Sequence, residues 1–192
     1  MPRYVRSDRP DFTYFFTARA AQRGTDLLLR EIDPLRAAMR KTKARYAFEI
    51  SEIVVMGDVI HTLWRLPQGD ADFSVRWRML KSLFSRSVDA PEDVSGQRLR
   101  PGEKGLWQRR FWEHAIRDAD DLAAHRHMIW TAPVQAGLVN RVEQWPHSSI
   151  HRAIARGQFV PDGPVGPGYL PLAGRTTRAP YDLGAVAGAA QS

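Results

Sequence analysis

A chain of 192 residues that is 43% hydrophobic has the material for one domain with a real core. The absence of cysteine excludes disulfides and thiolate metal sites. The net charge of +7 is carried mostly by arginine, since the lysines are only Lys41, Lys43, Lys81 and Lys104; such a balance points to a nucleic-acid partner, although arginine-favouring codon usage would leave the same trace. In chain order, MPRYVRSDRPDF has no apolar leader core, and no later run has the roughly 18 apolar residues of a membrane span, so a cytoplasmic protein is expected. FTYFFTARA (12–20) is aromatic and β-branched, a strand. Asp33-Pro34 reads as a helix N-cap followed by proline at the first helical position, with Leu35 and Met39 on the apolar stripe. YAFEISEIVVM (46–56) and VIHTLWRL (59–66) are strands joined at Gly57-Asp58, a hairpin. DADFSVRWRMLKSLFSRSV (70–88) is an amphipathic helix, because Phe73, Trp77, Leu80 and Phe84 recur at helical spacing. A loop with Pro91, Gly96, Pro101 and Gly105 follows.

LWQRRFWEHAI (106–116) reads as a fourth strand, and DADDLAAHRHMIW (118–130) as a helix whose acidic start suits the helix dipole. TAPVQAGLVNRVEQWPHSSIHRAIARG is expected to form a turn and short helices. From residue 157 the composition changes: the last 36 residues hold seven of the 14 glycines and five of the 13 prolines. The expected organisation is a domain over 1–156 and a Gly/Pro-rich tail over 157–192, partly disordered or extended. The order strand, helix, strand, strand, helix, strand, helix predicts an α+β fold, a ferredoxin-like (RRM-like) antiparallel sheet packed with helices.

Several residues invite a chemical reading. His61 stands alone inside an apolar strand, either a packed histidine or half of a ligand pair. His125 and His127, two apart on a helix, point in different directions, whereas His147 and His151 can share a face but have no carboxylate close in sequence. His114 reads as a hydrogen-bonded structural histidine. Tyr14 and Tyr46 read as core aromatics, as do Trp64, Trp77 and Trp145. The segment QRLRPGEKGLWQRRFW (97–112) interleaves Arg98, Arg100, Lys104, Arg109 and Arg110 with Trp107, Phe111 and Trp112. Cations with aromatic rings suit unstacked bases and their phosphates; the plainer alternative makes the rings core and the arginines solvated. Arg76, Arg78, Lys81 and Arg86 would extend that patch, or form a solvated helix face.

TYFFTARAAQR, GDVIHTLWRLPQGDADFSVRWRMLKSLFSR, LWQRRFWEHAIRDADDLAAH and PVQAGLVNRVEQWPHSSIHR together resemble the REP-associated tyrosine transposases, single-tyrosine members of the HUH transposases, from about residue 10 to 155. WQRRFWEHAIRD is the most specific block. The resemblance implies a protein that acts on single-stranded DNA at palindromic hairpins. In such proteins two histidines alternate on a strand and, with a polar helical residue, hold Mg²⁺ or Mn²⁺, and a helical tyrosine attacks the phosphodiester. Carried over position by position, the histidine pair falls on Val59 and His61, the tyrosine on Met128 and the helical ligand on Ala132.

One imidazole does not hold a hard divalent cation that takes several oxygen ligands, and methionine has no oxygen nucleophile. The expectation is therefore a degenerate member that binds single-stranded or hairpin DNA without strand transfer. No cofactor is expected, and the location expected is the cytoplasm, in association with the nucleoid; the sequence leaves the oligomeric state open, with a monomer slightly favoured. Its contacts are expected at Arg98, Arg100, Lys104, Trp107, Arg109, Arg110, Arg78 and Lys81. Two alternatives stay open: an active single-strand endonuclease with another nucleophile, and a protein-interaction module that binds no nucleic acid.

Overall fold

In the computed structural model, residues 13–90, 99 and 101–161 are described. Four strands form one sheet: β1 (Thr13–Arg19), β2 (Glu49–Val55), β3 (Val59–Arg65) and β4 (Trp112–Ala115). Their spatial order is β2-β3-β1-β4 and every pair is antiparallel, the ferredoxin-like order expected from the sequence. The helices are α1 (Leu27–Arg30), α2 (Ile32–Arg45), α3 (Phe73–Ser87), α4 (Ala119–Gln135) and α5 (Ile150–Ala155), with a 3-10 turn at Val142–Gln144.

Period-2 alternation assigns each strand residue to one of two cores. Tyr14, Phe16, Ala18, Ile60 and Trp64 point to the side where α2 and α3 bring Leu35, Ala38, Phe73, Trp77, Leu80 and Phe84. Phe15, Val59 and Leu63 point to the other side, where Ile129 and Trp130 of α4 and Ile150 and Ala153 of α5 cover them. The α3 stripe is buried as its spacing predicts, and Tyr14, Trp64 and Trp77 are core.

Local chemistry sets the boundaries. The Asp72 carboxylate accepts from Val75 N at the start of α3, and Asp118 does the same for Asp121 N at the start of α4, which satisfies amides with no intrahelical partner. The expected cap at Asp33 is displaced: α2 begins two residues earlier, at Ile32 after a cap at Glu31, so Asp33 and Pro34 lie in its first turn. Pro34 is tolerated there because a first-turn amide needs no helical acceptor.

Three further boundaries differ from the sequence reading. The fourth strand is only Trp112–Ala115; upstream, contact with β1 is a single bridge between Ala20 and Trp107. The helix expected to end near residue 130 continues through Pro133 to Gln135. The short α1 has too few residues to announce a periodicity. Between β2 and β3, Gly57 O accepts from Leu28 N (2.9 Å), and an added Cβ at Gly57 would sit 2.5 Å from Thr25 O. Only glycine lets this turn lie against α1.

No helix among the described residues is long and apolar enough to cross a membrane. The expected tail lies outside the described residues from position 162 onward.

Candidate functional site

The α4 side of the sheet gathers the positions that the resemblance singles out. Val59 and His61 point the same way from β3, as residues two apart on a strand must. From above, Met128 and Ala132, one turn apart on α4, pack against the apolar cluster that contains Val59, Phe15 and Leu63. His61 is only 4% exposed. Its cross-strand neighbour is Thr17, and Thr17 Oγ1 lies 2.9 Å from His61 Nδ1. Its ring also stacks on Phe15, centroids 5.9 Å apart.

Burial, helped by the nearby Arg19 charge, pushes the His61 imidazolium down to about pKa 3, so the ring is neutral at physiological pH. The donor set across these four positions is one neutral imidazole. Valine and alanine offer nothing, and the methionine thioether is a soft ligand that suits neither Mg²⁺ nor Mn²⁺.

A second group of polar residues adjoins this one. His114 on β4 and Asp121 and His125 on α4 have ligand-type atoms all within 4.8 Å of one another. His114 Nε2 is 2.8 Å from Asp121 Oδ2, which also accepts from Arg117 N and Nε. His125 Nδ1 is 2.8 Å from Asp121 O. The two imidazoles stack with centroids 4.7 Å apart and planes within 16°. Their in-plane lone pairs therefore run side by side instead of converging, and the arrangement is a hydrogen-bond hub.

Burial alone would raise the Asp121 carboxyl, but hydrogen bonds from Arg117 and His114 outweigh it and hold the group well below the usual carboxylate range. Burial lowers His125. The hub ends on Trp112, which lies parallel to His114 at 5.8 Å and is 39% exposed. The sequence reading recognised His114 as hydrogen-bonded and missed its partner; the i, i+4 spacing of Asp121 and His125 was the available signal.

A third group surrounds Glu52 on β2. This carboxylate is 5% exposed. It accepts from Trp130 Nε1 at 2.9 Å and Ser149 Oγ at 2.5 Å, with Arg126 and Arg152 at 3.9 and 3.8 Å. Nothing in the local sequence EISEIVV marks Glu52 as buried. Its partners come from 74 to 100 residues away.

The expected DNA contacts divide. Arg98 and Arg100 lie outside the described residues. Lys81 donates to Gln108 O at 2.8 Å and sits over the Trp107 and Phe111 rings; burial pushes its ammonium down to about pKa 8. Lys104 donates to Val88 O at 2.6 Å, and Trp107 packs on Phe84. These three hold the loop onto α3. Arg78, Arg109 and Arg110 are exposed, Arg109 with Glu103 at 3.2 Å.

Arg76, read as a possible extension of the patch, is instead 2% exposed. It donates to Asp70 and to the carbonyls of Ala47 and Asp72. Helical spacing puts it beside Trp77 on the buried side, where its planar fork can saturate several acceptors at once.

The chain is similar to several known proteins. The chain is 40% identical over 150 residues to the REP-associated tyrosine transposase of Escherichia coli (strain K12), covering 78% of this chain and 83% of that protein. A Haemophilus influenzae relative (strain ATCC 51907 / DSM 11121 / KW20 / Rd) is 38% identical over 159 residues, 80% of this chain and 90% of its own. The solved structure of a REP-associated tyrosine transposase bound to a REP hairpin superposes with a TM-score of 0.75 at 36% identity, over 92% of this chain and 99% of that one. No protein-family model matches the chain.

Proposed function

This chain belongs to the REP-associated tyrosine transposases, and from that premise we propose that it binds palindromic DNA hairpins with single-stranded flanks and does not carry out strand transfer. One observation carries the second half. The four positions that would supply metal and nucleophile are Val59, His61, Met128 and Ala132, drawn together around an apolar cluster. The only imidazole there is buried and neutral. The residues present do not fit a Mg²⁺ or Mn²⁺ centre. The answer to the isolated His61 is therefore a packing role: it fills the layer beside Phe15 and satisfies Thr17.

The binding half rests on the relative solved with a REP hairpin and on the chain's charge of +7. Arg78, Arg109 and Arg110 supply exposed charge, and Trp112 an exposed ring on which a base can stack.

The test measures binding and cleavage together. A labelled palindromic hairpin with a single-stranded flank should bind with an affinity that falls linearly in log–log salt, as counterion release requires. With Mn²⁺ the wild type should leave the DNA intact and free of covalent protein. The triple variant Val59→His, Ala132→Asn, Met128→Tyr should begin to nick it, because metal and nucleophile act as a unit. A covalent DNA adduct on the wild-type protein would overturn the proposal. So would failure to bind any hairpin at low salt, which would favour a protein-interaction role.

A further inference from the structure

Beside α4, on the edge of the sheet formed by β2, two adjoining hollows of about 150 and 380 Å³ share Glu49, Ser51 and Arg126 as walls. Arg152 and Arg156 line the smaller hollow and Arg65 the larger. We infer that this cleft is a phosphodiester-binding groove, in which Arg126, Arg152 and Arg156 hold the backbone of a DNA strand. The inference rests on the DNA-binding reading above and names a surface that the 98–110 segment does not include.

The first argument is charge. Four arginines meet two glutamates. One of these, Glu52, is turned inward, its carboxylate occupied by Trp130 and Ser149. Glu49, which lines both hollows, is the exposed carboxylate, so guanidinium outnumbers carboxylate at the opening, and its planar fork matches a phosphate. Glu52 holds two of these guanidinium groups in the wall, Arg126 at 3.9 Å and Arg152 at 3.8 Å, and Arg152 also donates to Ser51 O, while Arg156 is exposed at the rim.

The second argument is position. Arg126 and Trp130, one turn apart on α4, face β2, and Trp130 donates to Glu52 across that gap. The cleft therefore lies in the same layer as Val59, His61 and Met128. By contrast, the loop carrying Lys104 and Trp107 is fastened to α3 on the opposite layer. Strand β2 is a sheet edge whose second half is already covered by residues 147–149, through Val55 N to His147 O and Ser149 N to Ile53 O. The half near Glu49–Ser51 is where the cleft opens.

The experiment titrates the full-length chain with a palindromic DNA hairpin carrying a single-stranded flank, over a salt series, and separately with inorganic phosphate. The variants are Arg156→Gln, Arg126→Gln and the double change, with Arg40→Gln on α2 as a control of equal charge in the opposite layer. Each cleft change should flatten the log–log salt slope by about 0.7, the increment for one phosphate of a single strand. Arg40→Gln should leave the slope alone. Arg156 is an exposed residue at the end of α5, so its variant should keep the wild-type melting temperature, and it carries the test if Arg126→Gln misfolds.

Hairpin binding by the wild type with an unchanged slope in Arg156→Gln and the double variant would overturn the groove and leave the hairpin reading standing. Phosphate binding abolished by Arg156→Gln, with the DNA slope unmoved, would make the cleft a free-anion site and overturn its assignment to a strand. Absence of any hairpin binding by the wild type would remove both readings.

Discussion

The two faces of one sheet have been built to different standards. On the α2/α3 side, Phe16, Trp64, Phe73, Trp77 and Phe111 interlock, with Trp64 stacked on Trp77 at 4.5 Å. Arg76, taken inside near it, is matched by Asp70 and two carbonyls. On the α4/α5 side the same strands present Phe15, Val59 and Leu63 among His61, Glu52, Asp121 and His125. Dispersion and apolar burial dominate the first face; polar groups that must be satisfied one by one govern the second. The difference teaches where this fold keeps its chemistry. Positions 59, 61, 128 and 132 and the arginine cleft all belong to the face that holds the buried Glu52, His61 and Asp121.

The comparison can be broken most severely on the aromatic side. Trp77→Ala removes a fully buried indole and should cost about 3–5 kcal/mol, the range for deleting a large buried aromatic; urea denaturation measures it. A loss under about 1 kcal/mol would mean that this face collapses around cavities and is not the rigid one.

On the polar side the largest effect should come from Glu52→Ala. It strands Trp130 Nε1, Ser149 Oγ and two guanidinium groups, and should cost roughly 3 kcal/mol, as removal of one partner from a buried charged network does. Glu52→Gln should recover part of that loss, since the amide oxygen still accepts from Trp130.

A pH series sharpens the contrast further. His61 has a pKa near 3 when folded against an ordinary value of 6.5. Below pH 6.5 the unfolded chain therefore binds a proton that the folded chain refuses. Its stability contribution is complete above 6.5 and is lost as pH falls towards 3. Between pH 7 and pH 5 this one group should cost about 2 kcal/mol. His61→Met should flatten that part of the profile, the remaining slope coming from groups such as His125. An unchanged profile would mean that water reaches the ring.

The smallest effect should be at Trp112. Removing its 39% exposed ring should shift stability by no more than about 1 kcal/mol, because half-exposed rings contribute little burial. Trp112→Ala should nevertheless weaken hairpin binding where a single-stranded flank is present, at about 1–3 kcal/mol per stacked base.

How much of this was legible in the chain varies residue by residue. The α3 stripe at Phe73, Trp77, Leu80 and Phe84 could be read directly, because helical periodicity is a local property and burial followed it. The β2–β3 hairpin was equally plain at Gly57-Asp58. The sheet order was legible through the sequence of elements. The shared layer of Val59, Met128 and Ala132 could be anticipated as well, since Val59 and His61 are two apart on a strand and Met128 and Ala132 four apart on a helix. The short β4 was not. LWQRRFWEHAI has strand composition throughout, but only the four residues Trp112–Ala115 form the ladder with β1, and a ladder needs a partner that local composition does not supply.

By itself, then, the sequence determined the periodic elements, the family and the absence of a hard-metal donor set at positions 59, 61, 128 and 132, because each follows from residue identity at short spacing. Tertiary structure alone decided which charges are spent and which are offered. Arg76 and Lys81 look like surface cations on an amphipathic helix and are consumed by Asp70, Ala47 and Gln108. Arg126, Arg152 and Arg156 look unremarkable in sequence and come together at the β2 edge around a buried glutamate. The reason is physical: the state of a charged side chain depends on partners and solvent within a few ångströms, and those partners lie tens of residues away along the chain.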